Sequence, residues 1–142
     1  MITPGRRRKR QVFIVENSPV PREGFAELID HQRDLEVCGK ANTAAAALAG
    51  IHVSNPDLVI VDFSHADHDG MKVVKDIATA QSNLPVLVLS MRDESLHAER
   101  ALRAGARGYV TKRSPTRKVM GAIRQVLGGG LFFTAALRAK LA

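Results

Sequence analysis

The chain has 142 residues, 45% of them hydrophobic and 25% charged, which is enough for one hydrophobic core and leaves no comfortable room for a second domain. No apolar stretch reaches bilayer length, which excludes a membrane span, and the single cysteine, Cys38, excludes an internal disulfide. A formal charge of +7 favours polyanions, but with only 4% aromatics there is little to stack bases, so this domain alone is not expected to bind nucleic acid.

Residues 1–10, MITPGRRRKR, read as a basic, solvated tail. No apolar stretch and cleavage site follow Arg6 to Arg10, so no secretory signal is read and the expected location is the cytoplasm. Val12 to Val15 is an apolar run ended by Glu16-Asn17-Ser18-Pro19, and Phe25, Leu28 and Ile29 then recur at helical spacing. Leu35 to Cys38 is a second short strand, with Cys38 as a small core residue. Asn42-Thr43 caps an alanine-rich helix over Ala44 to Ile51. Leu58 to Val61 is a third, wholly apolar strand, and the helix after it carries Met71, Val74 and Ile77 on one face.

Pro85 opens a fourth strand, Val86 to Leu89, followed by a helix from Ser95 to Arg103 that Gly105 stops. Gly108-Tyr109-Val110 is a minimal fifth strand. Ser114-Pro115 supplies a cap and a first-turn proline for a last helix with Val119, Ile123, Val126 and Leu127 on its buried stripe, ended by Gly128-Gly129-Gly130.

Continuous apolar strands alternating with helices call for a parallel sheet covered on both faces and joined by right-handed crossovers. Ligands in such sheets sit beyond the carboxyl ends of the strands. Those positions hold Glu16, Asn17, Asp62, Ser90 and Lys112. Carboxylate and amide oxygens suit a hard cation such as Mg²⁺, while hydroxyl and ammonium groups are donors for a phosphoryl group.

In that order, Glu16-Asn17, "VDF" with Asp62, "HDG", "LVLS" with Ser90 and "AGARGYVTK" with Lys112 resemble the receiver domain of bacterial two-component response regulators. The resemblance runs from about Gln11 to Leu127. "VPREGF", "RDLEVCGKA" and "RAGARGYVTK" are similar to the NarL/LuxR branch, whose receivers precede a helix-turn-helix DNA-binding domain. It implies a flavodoxin-like (βα)5 fold with strand order 2-1-3-4-5, a receiver over residues 11–128, and in residues 129–142 the start of a linker helix, either to a helix-turn-helix output domain outside this chain or, as the alternative, in a stand-alone receiver.

It also implies a mechanism. Asp62 would accept a phosphoryl group from a sensor histidine kinase, with any activity limited to the chain's own phosphorylation and dephosphorylation. Mg²⁺ would be held by Glu16, Asn17, Asp62 and the backbone carbonyl of Ser64, while Lys112 and Ser90 would bind the phosphoryl oxygens. Ser90 and Tyr109 would form the switch, changing the face made by the fourth helix, fifth strand and fifth helix. That face, rich in Arg100, Arg103, Arg107, Arg113, Arg117 and Lys118, would control transcription by pairing two receivers, with DNA reached only through the output domain.

Two departures bear on this. The family usually has an acid where Asn17 stands, so Mg²⁺ binding should be weakened, and Lys112 could neutralise Asp62 without metal. The alternative function is therefore a phosphorylation-independent pseudo-receiver acting as a protein interaction module. The loop Ser64 to Gly70 lacks the family's Met-Pro-Gly; Asp69 is read as the following helix's cap, and His65, Asp67 and His68 as solvated. A flavodoxin-type cofactor site would want a glycine- and hydroxyl-rich loop after the first strand, and the acidic Glu16-Asn17-Ser18-Pro19 counts against it.

Overall fold

The computed structural model describes residues 8–16, 25–63, 68–91, 94–133, Leu137 and Ala139. Strands and helices alternate as β1 (Arg10–Glu16), α1 (Phe25–Asp30), β2 (Leu35–Ala41), α2 (Ala44–Ser54), β3 (Leu58–Phe63), α3 (His68–Ala80), β4 (Val86–Ser90), α4 (Glu94–Ala104), β5 (Gly108–Thr111) and α5 (Thr116–Leu127). All pairings in the sheet are parallel and its order is β2-β1-β3-β4-β5. A parallel sheet is what the continuous apolar strands call for, and its order is the doubly wound, flavodoxin-like one that the resemblance implies.

Side-chain alternation divides the core in two. Val12, Ile14, Leu58, Ile60, Leu87, Leu89 and Val110 face α1 and α5. Phe13, Val15, Val59, Val61, Val86, Val88 and Tyr109 face the other way, toward α2, α3 and α4. Leu58, Val59 and Ile60 have no accessible surface and Val61 almost none. Each such side chain contributes about 1.5–3 kcal/mol by leaving water, so the centre of the sheet is fixed chiefly by β3 and its neighbours.

Local chemistry sets the ends of the elements. The Thr43 hydroxyl accepts from the Ala46 amide at 3.1 Å and caps α2, as the sequence indicates. Gly105, at φ 114°, ends α4; its amide donates to the Leu102 carbonyl and that of Ala106 to Ala101. A Cβ at Gly105 would lie 2.6 Å from that of Ala78, so the position is closed sterically as well as conformationally. The Phe13 ring lies against Gly39 of β2 and Gly50 of α2, where an added Cβ would come within 2.7 Å of ring carbons.

Several local expectations are corrected. Leu28 is 42% exposed, because the six-residue α1 turns Phe25 and Ile29 inward at i and i+4. Ser114 does not cap α5: its hydroxyl lies 3.1 Å from that of Thr111, and Pro115 holds the cap position without a side-chain bond. Asp69 is the second residue of α3 rather than its cap, since the helix starts at His68. Cys38 lies in β2 and is only partly buried, at the outer strand of the sheet, where burial pushes its thiol up from the ordinary range.

Candidate functional site

The site is assembled by register at the carboxyl ends of β1, β3, β4 and β5. Glu16 pairs with Asp62 across β1 and β3, Phe63 with Ser90 across β3 and β4, and Ser90 with Thr111 across β4 and β5. The Lys112 amide donates to the Ser90 carbonyl at 2.7 Å, extending the last ladder by one residue and setting where the lysine leaves the backbone. Beyond it, the Ser114 amide donates to the Thr111 carbonyl at 3.0 Å and closes the turn into α5.

Asp62 and Lys112 meet in a direct ion pair between Oδ1 and Nζ, with side chains only 1% and 4% exposed. β4 lies between their strands, so the lysine spans about two strand spacings, roughly 9–10 Å, beyond the end of that strand. A long, flexible ammonium side chain suits that distance. Removing two charges from water costs several kcal/mol per ion, and the contact offsets this only while both partners are present. The third strand therefore ends in a charge that the fold retains at a cost.

Glu16 is partly buried and in register with Asp62, so two carboxylates stand on adjacent strands. Such a donor pair fits a hard divalent cation that keeps several waters, and no group of three or more His, Cys, Asp or Glu side chains with metal-binding geometry occurs among the described residues. Asn17 and Ser64, expected to complete the cation's ligands, lie outside the described residues, as do His65 and Asp67. Ser90 is buried at the end of β4 and shares its strand parity with Val88, on the α4 side of the sheet. Tyr109, on the same side, has no accessible surface and packs in the cluster with Ala98, Ala101, Phe133 and Leu137.

Two features were missed from sequence. One is a groove between α1 and α5, lined by Phe25, Leu28, Leu89, Val119 and Met120 and reaching Lys112. The other is the segment after α5. Phe132 bridges to Gly108 in parallel with β5, and Phe133 and Leu137 are buried. Two adjacent aromatics after a glycine triplet, facing opposite sides as in a strand, are the signal that could have revealed it.

The strand order, the buried acid near the end of β3 and the lysine following β5 define a receiver-type α/β domain. The response regulator receiver domain family matches residues 12–124, and the chain belongs to that family, in its LuxR-type branch. It is 31% identical to the Fimbriae Z protein of Salmonella typhimurium over 86% of this chain and 58% of that protein. It is 30% identical to the transcriptional regulatory protein UhpA of the same organism over 92% of this chain and 65% of that one. The chain thus spans about three-fifths of the length of these curated relatives. A crystal structure of a LuxR-family two-component response regulator from Aurantimonas sp. SI85-9A1 superposes with a TM-score of 0.82 at 26% identity, covering 93% of this chain and 94% of that one.

Proposed function

We propose that this receiver accepts a phosphoryl group on Asp62 from a sensor histidine kinase and passes the event to a transcriptional output. The observation that carries the reading is the buried Asp62–Lys112 ion pair at the sheet edge where four strands end. In the transfer, a carboxylate oxygen of Asp62 forms a bond to phosphorus as the phosphorus–nitrogen bond to the kinase imidazole breaks, its electron pair returning to that nitrogen. Lys112 then exchanges its carboxylate contact for the phosphoryl oxygens, and the Ser90 hydroxyl donates to one of them.

Glu16 and Asp62, with Asn17 and the Ser64 carbonyl, would hold Mg²⁺, which when bound supplies charge neutralisation at the phosphoryl oxygens. Asn17 offers a carbonyl oxygen without charge, so binding is weaker than with an acid there. Movement of Ser90 is felt on the Tyr109 side of the sheet, and the face of α4, β5 and α5 changes its fit to a second receiver. Transcription is reached through a DNA-binding output domain beyond this chain, in the cytoplasm. Among the described residues no helix is long and apolar enough to cross a membrane.

Beryllofluoride with Mg²⁺, a phosphoryl mimic, tests the site by fluorine NMR. A bound resonance in the parent that is lost in Asp62→Ala supports the reading. Its absence under conditions that label another receiver would favour a phosphorylation-independent interaction module.

A further inference from the structure

The open edge of a sheet is normally either protected or a liability, and β5 is such an edge. Here the chain returns to cover it. The Phe132 amide donates to the Arg107 carbonyl at 2.9 Å, and the Tyr109 amide donates to the Phe132 carbonyl at 2.9 Å. These bonds flank the parallel bridge between Gly108 and Phe132. The side chains alternate as in a strand: Phe132 packs against the α1 and α5 core, whereas Phe133 enters the opposite core, the one that also holds Tyr109.

Gly108 sits where a Cβ would meet Leu87 Cδ1 at 2.7 Å, Val126 Cγ2 at 3.1 Å and the Cβ of Phe132 at 3.2 Å, so its bareness helps the last segment approach. Phe133 and Leu137 are each only 8% exposed, in the same cluster as Tyr109, Ala98 and Ala101. The segment thus bonds the Tyr109 backbone, and its apolar side chains join the cluster in which the Tyr109 ring is buried.

We propose that residues 131–133, a rudimentary sixth strand, act together with the buried Leu137 as a strap that positions Tyr109 and keeps it buried when Asp62 carries no phosphoryl group. The strap's relevance to signalling rests on the phosphoacceptor reading above, but its hold on Tyr109 does not. An inward Tyr109 is then a product of strap docking, and the strap sets how far events at Ser90 can move it.

The chain supplies its own probe, since Tyr109 is the one tyrosine and there is no tryptophan. In the full chain, without phosphodonor, acrylamide quenching of tyrosine emission is compared between the parent and the pair Phe133→Ser, Leu137→Ser. Quenching should rise several-fold in the pair while far-UV circular dichroism stays native, and hydrogen exchange at the Tyr109 amide should quicken about tenfold or more relative to β3 amides. Native dichroism with Tyr109 as shielded as in the parent would overturn the proposal.

Should the serine pair unfold, Phe132→Pro, which removes the amide bonded to Arg107 and leaves Phe133 and Leu137 in place, decides by the same criteria. Loss of the fold in both would also overturn it, because the segment would then be part of the cooperative core. A chain that never accepts a phosphoryl group must still give the expected quenching, so failure of the phosphoacceptor reading is separately visible.

Discussion

The two ends of the sheet carry ion pairs of similar chemistry in different surroundings. At the amino-terminal end, Arg124 grips Asp34 through Nε and Nη2 at 2.9 and 3.0 Å, and Arg10 approaches Asp57 at 3.7 Å. Those side chains are 39–52% exposed. At the carboxyl end, Asp62 and Lys112 are almost wholly buried. Water screens the first set, which ties α5 and β1 to neighbouring turns at little cost or gain. Burial makes the second costly to keep and costlier to break, a cost that the proposed phosphoacceptor role accounts for.

The sharpest way to break this contrast is to remove one buried partner. Lys112→Met should destabilise the fold by about 3–5 kcal/mol in urea titration, since Asp62 would be left buried without its cation. Asp62→Leu combined with Lys112→Met should recover most of that loss. If the single variant were as stable as the parent, Asp62 would not depend on Lys112 and the contrast would fail.

A smaller effect is expected from the charge missing at the same end. Asn17→Asp should tighten Mg²⁺ about tenfold, as the added attraction is largely offset by hydration. Calorimetric titration checks this, and unchanged affinity would contradict the expectation that Asn17 weakens Mg²⁺ binding.

At the exposed end, Arg124→Ala should cost less than about 1 kcal/mol at low salt and less still near 1 M salt. The smallest effect concerns pH. The Arg124 guanidinium holds the Asp34 carboxyl below the ordinary carboxylate range. With the folded value depressed, this stabilisation is present above the ordinary value of 3.8 and is lost as pH falls through the lowered one. Asp34→Asn should therefore flatten the acid limb of the stability profile slightly, as read from urea midpoints between neutral and acid pH.

How much was legible in the sequence follows the same division between local and distant causes. Glu16, Asp62, Ser90 and Lys112 were legible because each ends or follows an apolar run, and parallel strands align their carboxyl ends. Gly105 and Thr43 were legible because their roles are confined to one helix end. Ser114 was misassigned because Thr111, three residues before it, takes its hydroxyl. Leu28 fits helical spacing, yet a helix of six residues has room for little more than one inward pair. The strap at Phe132 was missed because its partners, Arg107 and Tyr109, lie more than twenty positions earlier on another element. The resemblance of Leu131 to Ala142 to a linker helix gives no sign of that pairing, although Leu137 and Ala139 are helical.

The central claim is that Asp62 is a working phosphoacceptor held ready by Lys112. Intact-mass spectrometry after incubation with acetyl phosphate and Mg²⁺ tests it most directly, with Asp62→Ala alongside. The account predicts one added phosphoryl group on the parent and none on the variant. An unmodified parent, where another receiver is labelled in the same tube, or equal labelling of the variant, would contradict it.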